Sequence, residues 1–131
     1  MGSLRREVTL PVSPAELWDA VRDYGALHTR LVPGFVTDTE VDGRERIVTF
    51  AGGFVQREPI VAVDDERRRL VYSAVDSLLG ARHYNASVVV RDAQDGSELV
   101  WTIDFLPDEI AEPLDAAMDR GIEAMRSAFG G

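Results

Sequence analysis

The sequence predicts an α+β domain in which a curved, seven-stranded antiparallel sheet wraps around one long C-terminal helix. Two patterns carry this prediction. Between Phe35 and Leu106 the apolar residues recur with a period of two and short polar links separate the runs, which is typical of an antiparallel meander. From Asp108 to Phe129 the period changes to about 3.6, which predicts one amphipathic helix. Its single apolar face is the natural cover for a sheet this wide.

The chain begins with a predicted strand, Leu4 to Leu10, and continues into the clearest local signal in the sequence. Ser13 and Glu16 form a capping box, and the proline between them stands at the first helical position. We expect Trp18 on this helix to be a core anchor. A second short helix is predicted to carry Leu27, His28 and Leu31. The first strand is therefore followed by two short helices.

Six more strands are predicted from alternation and from turn residues. Their expected ranges are Phe35–Val41, Arg46–Phe50, Phe54–Val63, Arg69–Val75, Arg82–Val90 and Glu98–Leu106. A two-residue turn at Asp42-Gly43 joins the first two, and Asp76 to Gly80 forms a longer link. Because proline disfavours the helical conformation at the residue before it, we expect the regular C-terminal helix to begin near Pro113, after a turn.

Composition narrows the classes of function. A chain of 131 residues has room for one domain, residues 1–131. The 23 acidic residues exceed the 14 basic ones, for a net charge of -9, which argues against nucleic-acid binding. No apolar run approaches the roughly 20 residues that span a bilayer, so membrane insertion is not expected. We expect a cytoplasmic protein that is a monomer or a homodimer.

No metal site or cofactor is predicted. The chain has no cysteine, and its two histidines lack the spacing of a metal-ligand pair. Gly52-Gly53 is a lone pair of glycines between strands rather than a phosphate-binding loop.

Strand parity singles out three aromatic residues for the concave side of the sheet. Tyr72, Tyr84 and Trp101 all share parity with apolar neighbours. A buried tyrosine hydroxyl needs a polar partner, which is either a ligand or a nearby carbonyl group. Trp101 either stacks on an aromatic ligand or fills the core. His83 has the opposite parity to Tyr84, so we expect it to face solvent.

Arg57 and Glu58 are adjacent on one strand, so only one of them can point inward. An inward Arg57 would bind a phenolate or carboxylate, whereas an inward Glu58 would be a base with a raised pKa. The neighbouring residues are apolar on both faces, so parity leaves the choice open. A surface salt bridge is the interpretation we favour over either functional role.

Gly121 stands in the middle of the apolar face of the C-terminal helix. A glycine there costs about 1 kcal/mol relative to alanine. Either another group packs closely against it or the helix leaves space for a ligand. We predict that this face is the lid of a cavity. On that basis Gly121→Leu abolishes ligand uptake and leaves the fold intact.

Several short stretches follow one another in a characteristic order and spacing. Together they are more specific for a family than any one of them is alone. They are Val12-Ser13-Pro14-Ala15-Glu16-Leu17-Trp18, Asp23-Tyr24, Arg57-Glu58 with Val63-Asp64, Leu70-Val71-Tyr72-Ser73, His83-Tyr84-Asn85-Ala86, and Val100-Trp101 with Phe105. With the order of elements above, the whole chain resembles the helix-grip (SRPBCC) superfamily. This group includes START-related lipid-transfer domains, the birch-pollen-allergen fold and polyketide cyclase/dehydrase-like proteins, and the likeness is greatest to the last. One departure is Thr29-Arg30-Leu31, where the family often has a tryptophan.

The resemblance implies a deep cavity between helix and sheet for an apolar or aromatic small molecule. The residues predicted to line it are Phe35, Phe50, Tyr72, Tyr84, Trp101, Ile103, Met118, Gly121, Ile122 and Met125. Binding of such a molecule is the first hypothesis. A polyketide cyclase/dehydratase-like enzyme using the same cavity is the alternative, and a protein-binding adaptor is a third. The candidate catalytic residues are Tyr72, Tyr84, Arg57, Glu58 and His28, the last because its helix lies near the cavity entrance in the resembled fold.

Overall fold

The computed structural model describes residues 2–75 and 80–130, and within them the predicted fold class is confirmed. The strands are β1 (Gly2–Leu10), β2 (Val36–Asp42), β3 (Glu45–Phe50), β4 (Val55–Asp64), β5 (Arg69–Ser73), β6 (His83–Ala93) and β7 (Gly96–Leu106). They form one antiparallel sheet in the order β1-β7-β6-β5-β4-β3-β2, with β1 and β2 at its edges. The helices are α1 (Pro14–Arg22) and α2 (Ala111–Phe129).

The start of α1 follows the predicted cap. The Oγ atom of Ser13 accepts a hydrogen bond from the backbone N–H of Glu16 at 3.1 Å. The second short helix is not an α-helix. It consists of a 3₁₀ turn at Tyr24–Ala26 and a π-helical turn at Leu27–Leu31, which lead the chain to β2.

Trp18 ties α1 to the turn between β4 and β5. Its ring is buried, and its Nε1–H donates to Oδ1 of Asp65 at 2.9 Å. Nε of Arg22 donates to the same oxygen at 2.8 Å. The hydrogen bonds from Arg22 and then Trp18 hold the pKa of Asp65 below its usual value. Trp18 is therefore a core anchor, as predicted, and it lies outside the cavity described below.

The turns differ from prediction by small shifts. Asp42 pairs with Glu45, so the turn between β2 and β3 is Gly43-Arg44, one residue later than expected. The reason is Gly43, whose φ of +63° supplies the left-handed conformation that a two-residue hairpin turn requires at its first central position. Of the predicted link from Asp76 to Gly80, residues 76–79 lie outside the described residues.

Helix α2 begins earlier than predicted. A 3₁₀ turn at Asp108–Ile110 leads directly into the helix at Ala111, two residues before Pro113. Proline is tolerated there because the first-turn N–H groups have no partner within the helix. The buried residues of α2 are Leu114, Met118, Gly121, Ile122 and Met125.

The exposed side of α2 is tied to the edge of the sheet. Nε of Arg6 on β1 donates to Oδ1 of Asp119 at 2.9 Å, and its guanidinium also contacts Asp115. These contacts fix the helix across the concave face. Within the described residues, no helix is both long enough and apolar enough to cross a membrane.

Candidate functional site

A cavity of about 650 Å³ lies between the concave face of the sheet and α2. This volume is within the range of about 300–1,000 Å³ that is typical of small-molecule sites. Its opening is marked by lining residues that are exposed to solvent. They include Phe54 just before β4, Val55 at its start, and Arg120 and Glu123 on α2.

Seven of the ten predicted ligand-binding residues line this cavity. They are Phe35, Phe50, Tyr72, Tyr84, Trp101, Met118 and Met125. The rings of Phe35 and Phe50 meet edge to face at 5.3 Å, and Phe50 is 5.7 Å from Phe54 at the opening. One wall is therefore aromatic.

The other three predicted residues, Ile103, Gly121 and Ile122, are buried but do not form part of the cavity wall. Gly121 is covered by the indole of Trp101. A Cβ atom at position 121 would lie 2.9 Å from Cζ3 of Trp101 and 3.4 Å from Cε2 of Phe35. Close packing, rather than open space, is the reason for the glycine. The expectation that Gly121→Leu would leave the fold intact is corrected accordingly, because a leucine has no room there.

Five polar and aromatic side chains meet at the base of the cavity, and we call them the polar cluster: Arg46, Gln56, Glu58, Tyr72 and Tyr84. Nε of Arg46 donates to Oε1 of Glu58 at 2.7 Å. Nε2 of Gln56 donates to the other carboxylate oxygen at 2.6 Å. The side chains of Arg46 and Glu58 are each only 4% exposed. The carboxylate is therefore paired and hydrogen-bonded on both oxygens, as a buried charge must be.

The aromatic members of the polar cluster are tied to this ion pair. The guanidinium of Arg46 lies over the ring of Tyr72 at 4.8 Å, a cation–π geometry. Nε1 of Trp101 donates to the hydroxyl of Tyr72 at 3.0 Å. The rings of Tyr72 and Tyr84 are 6.5 Å apart. One connected network thus runs from the ion pair to β7.

Burial keeps both tyrosine hydroxyls protonated. Loss of solvation raises the pKa of Tyr72 well above its ordinary value, and the negative charge of Glu58 raises it further. Burial likewise raises the pKa of Tyr84, with additional contributions from Tyr72 and Glu58. Hydrogen bonds from Trp101 and Tyr84 to Tyr72, and from Gln56 to Tyr84, act against this rise but less strongly. Both groups are therefore phenols rather than phenolates.

The choice between Arg57 and Glu58 is settled by the strand register. Glu58 faces the cavity, whereas Arg57 faces outward and its NH1 donates to Oε1 of Glu45 at 2.5 Å and to Oδ2 of Asp42 at 3.4 Å. The favoured interpretation, a surface salt bridge, holds for Arg57. It is wrong for Glu58, because its partner Arg46 is also buried.

The two histidines lie away from the cavity wall. His28 is half-buried in the π-helical turn, and its neighbours Leu27 and Leu31 line the cavity while His28 does not. Its Nδ1 is buried without a hydrogen-bond partner among the described residues. His83 is exposed on β6, as predicted. A catalytic contact by His28 would need a rearrangement of this turn.

Arg46 and Gln56 are the members of the polar cluster that sequence reasoning missed. A signal for Arg46 was present, because it shares strand parity with Val48 and Phe50, which point inward. Arg46 is also directly opposite Glu58 in the pairing of β3 with β4. Counting outward from the turn between these strands would have placed the two charges side by side.

The arrangement suits a small molecule with an apolar body and one polar group. Most of the wall is apolar, and the polar groups converge at one place, which fixes orientation in such sites. Within residues 2–75 and 80–130, no group of three or more histidine, aspartate or glutamate side chains has the geometry to hold a metal ion.

Comparison with solved structures finds the same fold in several proteins. An uncharacterized protein from Bacillus thuringiensis superposes with a TM-score of 0.88 at 18% identity, covering 99% of this chain and 100% of that one. The di-domain ARO/CYC protein BexL from the BE-7585A biosynthetic pathway gives 0.84 at 10% identity, covering 98% of this chain and 46% of that one. Norcoclaurine synthase from Thalictrum flavum, in complex with dopamine and hydroxybenzaldehyde, gives 0.65 at 23% identity, covering 92% and 83%. At these identities the likeness shows the fold alone.

Comparison with curated protein sequences finds no match. One family, described as polyketide cyclase/dehydrase and lipid transport, matches residues 1–130. This match covers nearly the whole chain and agrees with the resemblance noted in the sequence. The protein belongs to the polyketide cyclase/dehydrase and lipid transport family.

Proposed function

We propose that the protein binds an apolar or aromatic small molecule in the cavity beneath α2. The observation that carries this proposal is the cavity itself, with its volume of about 650 Å³, its largely apolar wall and its convergent polar cluster. Family membership supports it. A fused aromatic ring of about 150–250 Å² would contribute roughly 4–6 kcal/mol by burial, before the entropy cost of binding.

The two tryptophans provide a direct test, because Trp101 lines the cavity and Trp18 does not. The variant Trp18→Phe retains Trp101 as its one tryptophan, and Trp101→Phe retains Trp18. Titration with the uncharged probe N-phenyl-1-naphthylamine should quench the emission of Trp101 with one-to-one stoichiometry. The emission of Trp18, which does not line the cavity, should be quenched less. Equal responses in the two variants, or no saturable response, would contradict the proposal.

A matched pair of substitutions on α2 locates the binding site. Ala124 lines the cavity and is half-buried, whereas Ala116 is exposed and lies off its wall. Ala124→Trp should fill the opening and weaken probe binding by at least about tenfold, while Ala116→Trp should leave it unchanged. Native mass spectrometry of freshly purified protein should also show extra mass that is lost on denaturation.

A cyclase/dehydratase-like reaction is the second candidate, and the position of Glu58 favours it. A carboxylate on the cavity wall beside two protonated tyrosines has the groups that proton transfer requires. The test is the conversion of a linear poly-β-ketone, followed by the absorbance of the aromatic product. Glu58→Gln should abolish any acceleration and Arg57→Gln, on the outer face, should preserve it. Equal rates with and without protein would leave binding as the sole function.

A further inference from the structure

The charges of the cavity separate into an inner pair and an outer group. Arg46 and Glu58 are the charged residues that lie deep in the described part of the cavity wall, and they neutralise each other. Asp119, Arg120 and Glu123 line the rim and are exposed. The base of the cavity therefore carries no net charge.

A charged ligand would find no free counter-charge at this base. A carboxylate that approached Arg46 would meet the carboxylate of Glu58, which already occupies Nε of the guanidinium at 2.7 Å. An ammonium group that approached Glu58 would meet two donors already in place, Arg46 and Gln56. Either ion would lose its hydration on entering an apolar cavity and would meet only charges that are already neutralised by each other.

An uncharged polar group does have partners there. Each tyrosine hydroxyl carries one proton and two lone pairs. Trp101 donates to Tyr72, a hydrogen bond joins Tyr72 and Tyr84, and Gln56 also hydrogen-bonds Tyr84. Burial raises the pKa of both Tyr72 and Tyr84, so the hydroxyls remain protonated at neutral pH. The hydrogen bond between the two tyrosines uses one of their two protons. The other O–H can donate to a carbonyl or hydroxyl group of a ligand.

We propose that the internal Arg46–Glu58 pair restricts the cavity to uncharged ligands: aromatic or alicyclic molecules that present a carbonyl or hydroxyl group to Tyr72 and Tyr84. Carboxylates and ammonium ions of the same shape are excluded by the same pair. This inference rests on the proposed binding function and adds the chemical class of ligand to it.

Three naphthalene derivatives of equal shape test the inference on the Trp18→Phe protein. They are 2-acetylnaphthalene, which is uncharged, 2-naphthoate, an anion, and 2-naphthylmethylammonium, a cation. At about pH 7, where the last two are ionised, quenching of Trp101 should show the ketone binding at least about 30-fold more tightly than either ion. Similar affinities, or tighter binding of an ion, would overturn the inference while leaving the binding function intact. If none of the three binds, the binding function itself fails.

A variant that removes the negative charge of Glu58 tests whether the Arg46–Glu58 pair causes the preference for uncharged ligands. Glu58→Gln keeps the shape of the side chain and leaves the guanidinium of Arg46 without its carboxylate. The ratio of the affinity for 2-naphthoate to that for 2-acetylnaphthalene should then rise by at least about tenfold. Glu45→Gln is the matched control, because it removes the carboxylate that pairs with Arg57 on the outer face. It should change neither affinity. If folded Glu58→Gln still prefers the uncharged ligand to the same extent, the ion pair is not the cause of the preference. If that variant does not fold, the comparison of the three ligands on the Trp18→Phe protein tests the inference.

Discussion

Replacing Gly121 by alanine measures whether α2 is closely packed or leaves a void. Alanine improves helix stability over glycine by about 1 kcal/mol. Against this, the new Cβ would lie 2.9 Å from Cζ3 and 3.2 Å from Cη2 of Trp101, closer than van der Waals contact allows. Overpacking of this kind costs about 1–3 kcal/mol. We expect a net loss of about 1 kcal/mol, which is a fall in Tm of about 3–5 °C for a chain of this size.

Urea denaturation of five proteins tests whether Trp101 packs closely against position 121. In the parent, Gly121→Ala should lower the free energy of unfolding. In a Trp101→Phe background, which lacks the two clashing ring atoms, the same change should be stabilising by about 1 kcal/mol. The exposed substitution Ala116→Gly supplies the helix-propensity value for this helix. Stabilisation of the parent by Gly121→Ala, or the same effect in both backgrounds, would refute close packing as the reason for the glycine.

Three further predictions concern the charged and phenolic groups. Arg46→Met, which leaves the carboxylate of Glu58 buried and unpaired, should cost about 3–5 kcal/mol in urea denaturation, and the double variant with Glu58→Leu should recover most of that loss. Because the pKa values of Tyr72 and Tyr84 are raised above the ordinary value of 10.0, their contribution to stability is complete below that pH and is lost as the pH rises above it. The free energy of unfolding should fall above pH 10 less steeply in a variant with both tyrosines changed to phenylalanine, and equal slopes would contradict this. The pKa of Asp65 is lowered from 3.8, so its contribution is complete above that pH and is lost as the pH falls below it. Asp65→Asn should therefore reduce the acid sensitivity of Tm, and an unaltered profile would count against the assignment.

The fold could be predicted from sequence because its determinants are local. The cap at Ser13 is one hydrogen bond between residues three apart, and the strands alternate with a period of two. The errors lie where local rules compete. Proline disfavours the helical conformation at the residue before it. Pro113 is nevertheless accommodated within the first turn of α2, because an N–H group there would have no partner within the helix.

The polar cluster could be predicted only in part, because it depends on which residues meet across strands. Strand parity placed Tyr72, Tyr84 and Trp101 on the concave face, since each shares parity with apolar neighbours. Strand parity failed for Glu58, because the residues that follow it, Pro59 to Val63, are apolar on both faces. The inward direction of Glu58 follows from its pairing with Arg46 across the hairpin. Hydrophobic patterning does not predict this pair, because arginine is mostly found on the exposed face of a strand.

Trp101 links the packing of α2 to the geometry of the polar cluster. The edge of its six-membered ring covers Gly121, and its ring nitrogen donates to the hydroxyl of Tyr72. A larger residue at position 121 would push the indole, and the indole would then lose or lengthen its hydrogen bond to Tyr72. The glycine therefore weakens α2 by about 1 kcal/mol but lets the helix approach closely enough to hold the indole in register with the polar cluster. The shape of the cavity and the position of its hydrogen-bonding groups thus depend on a residue that lies outside the cavity wall.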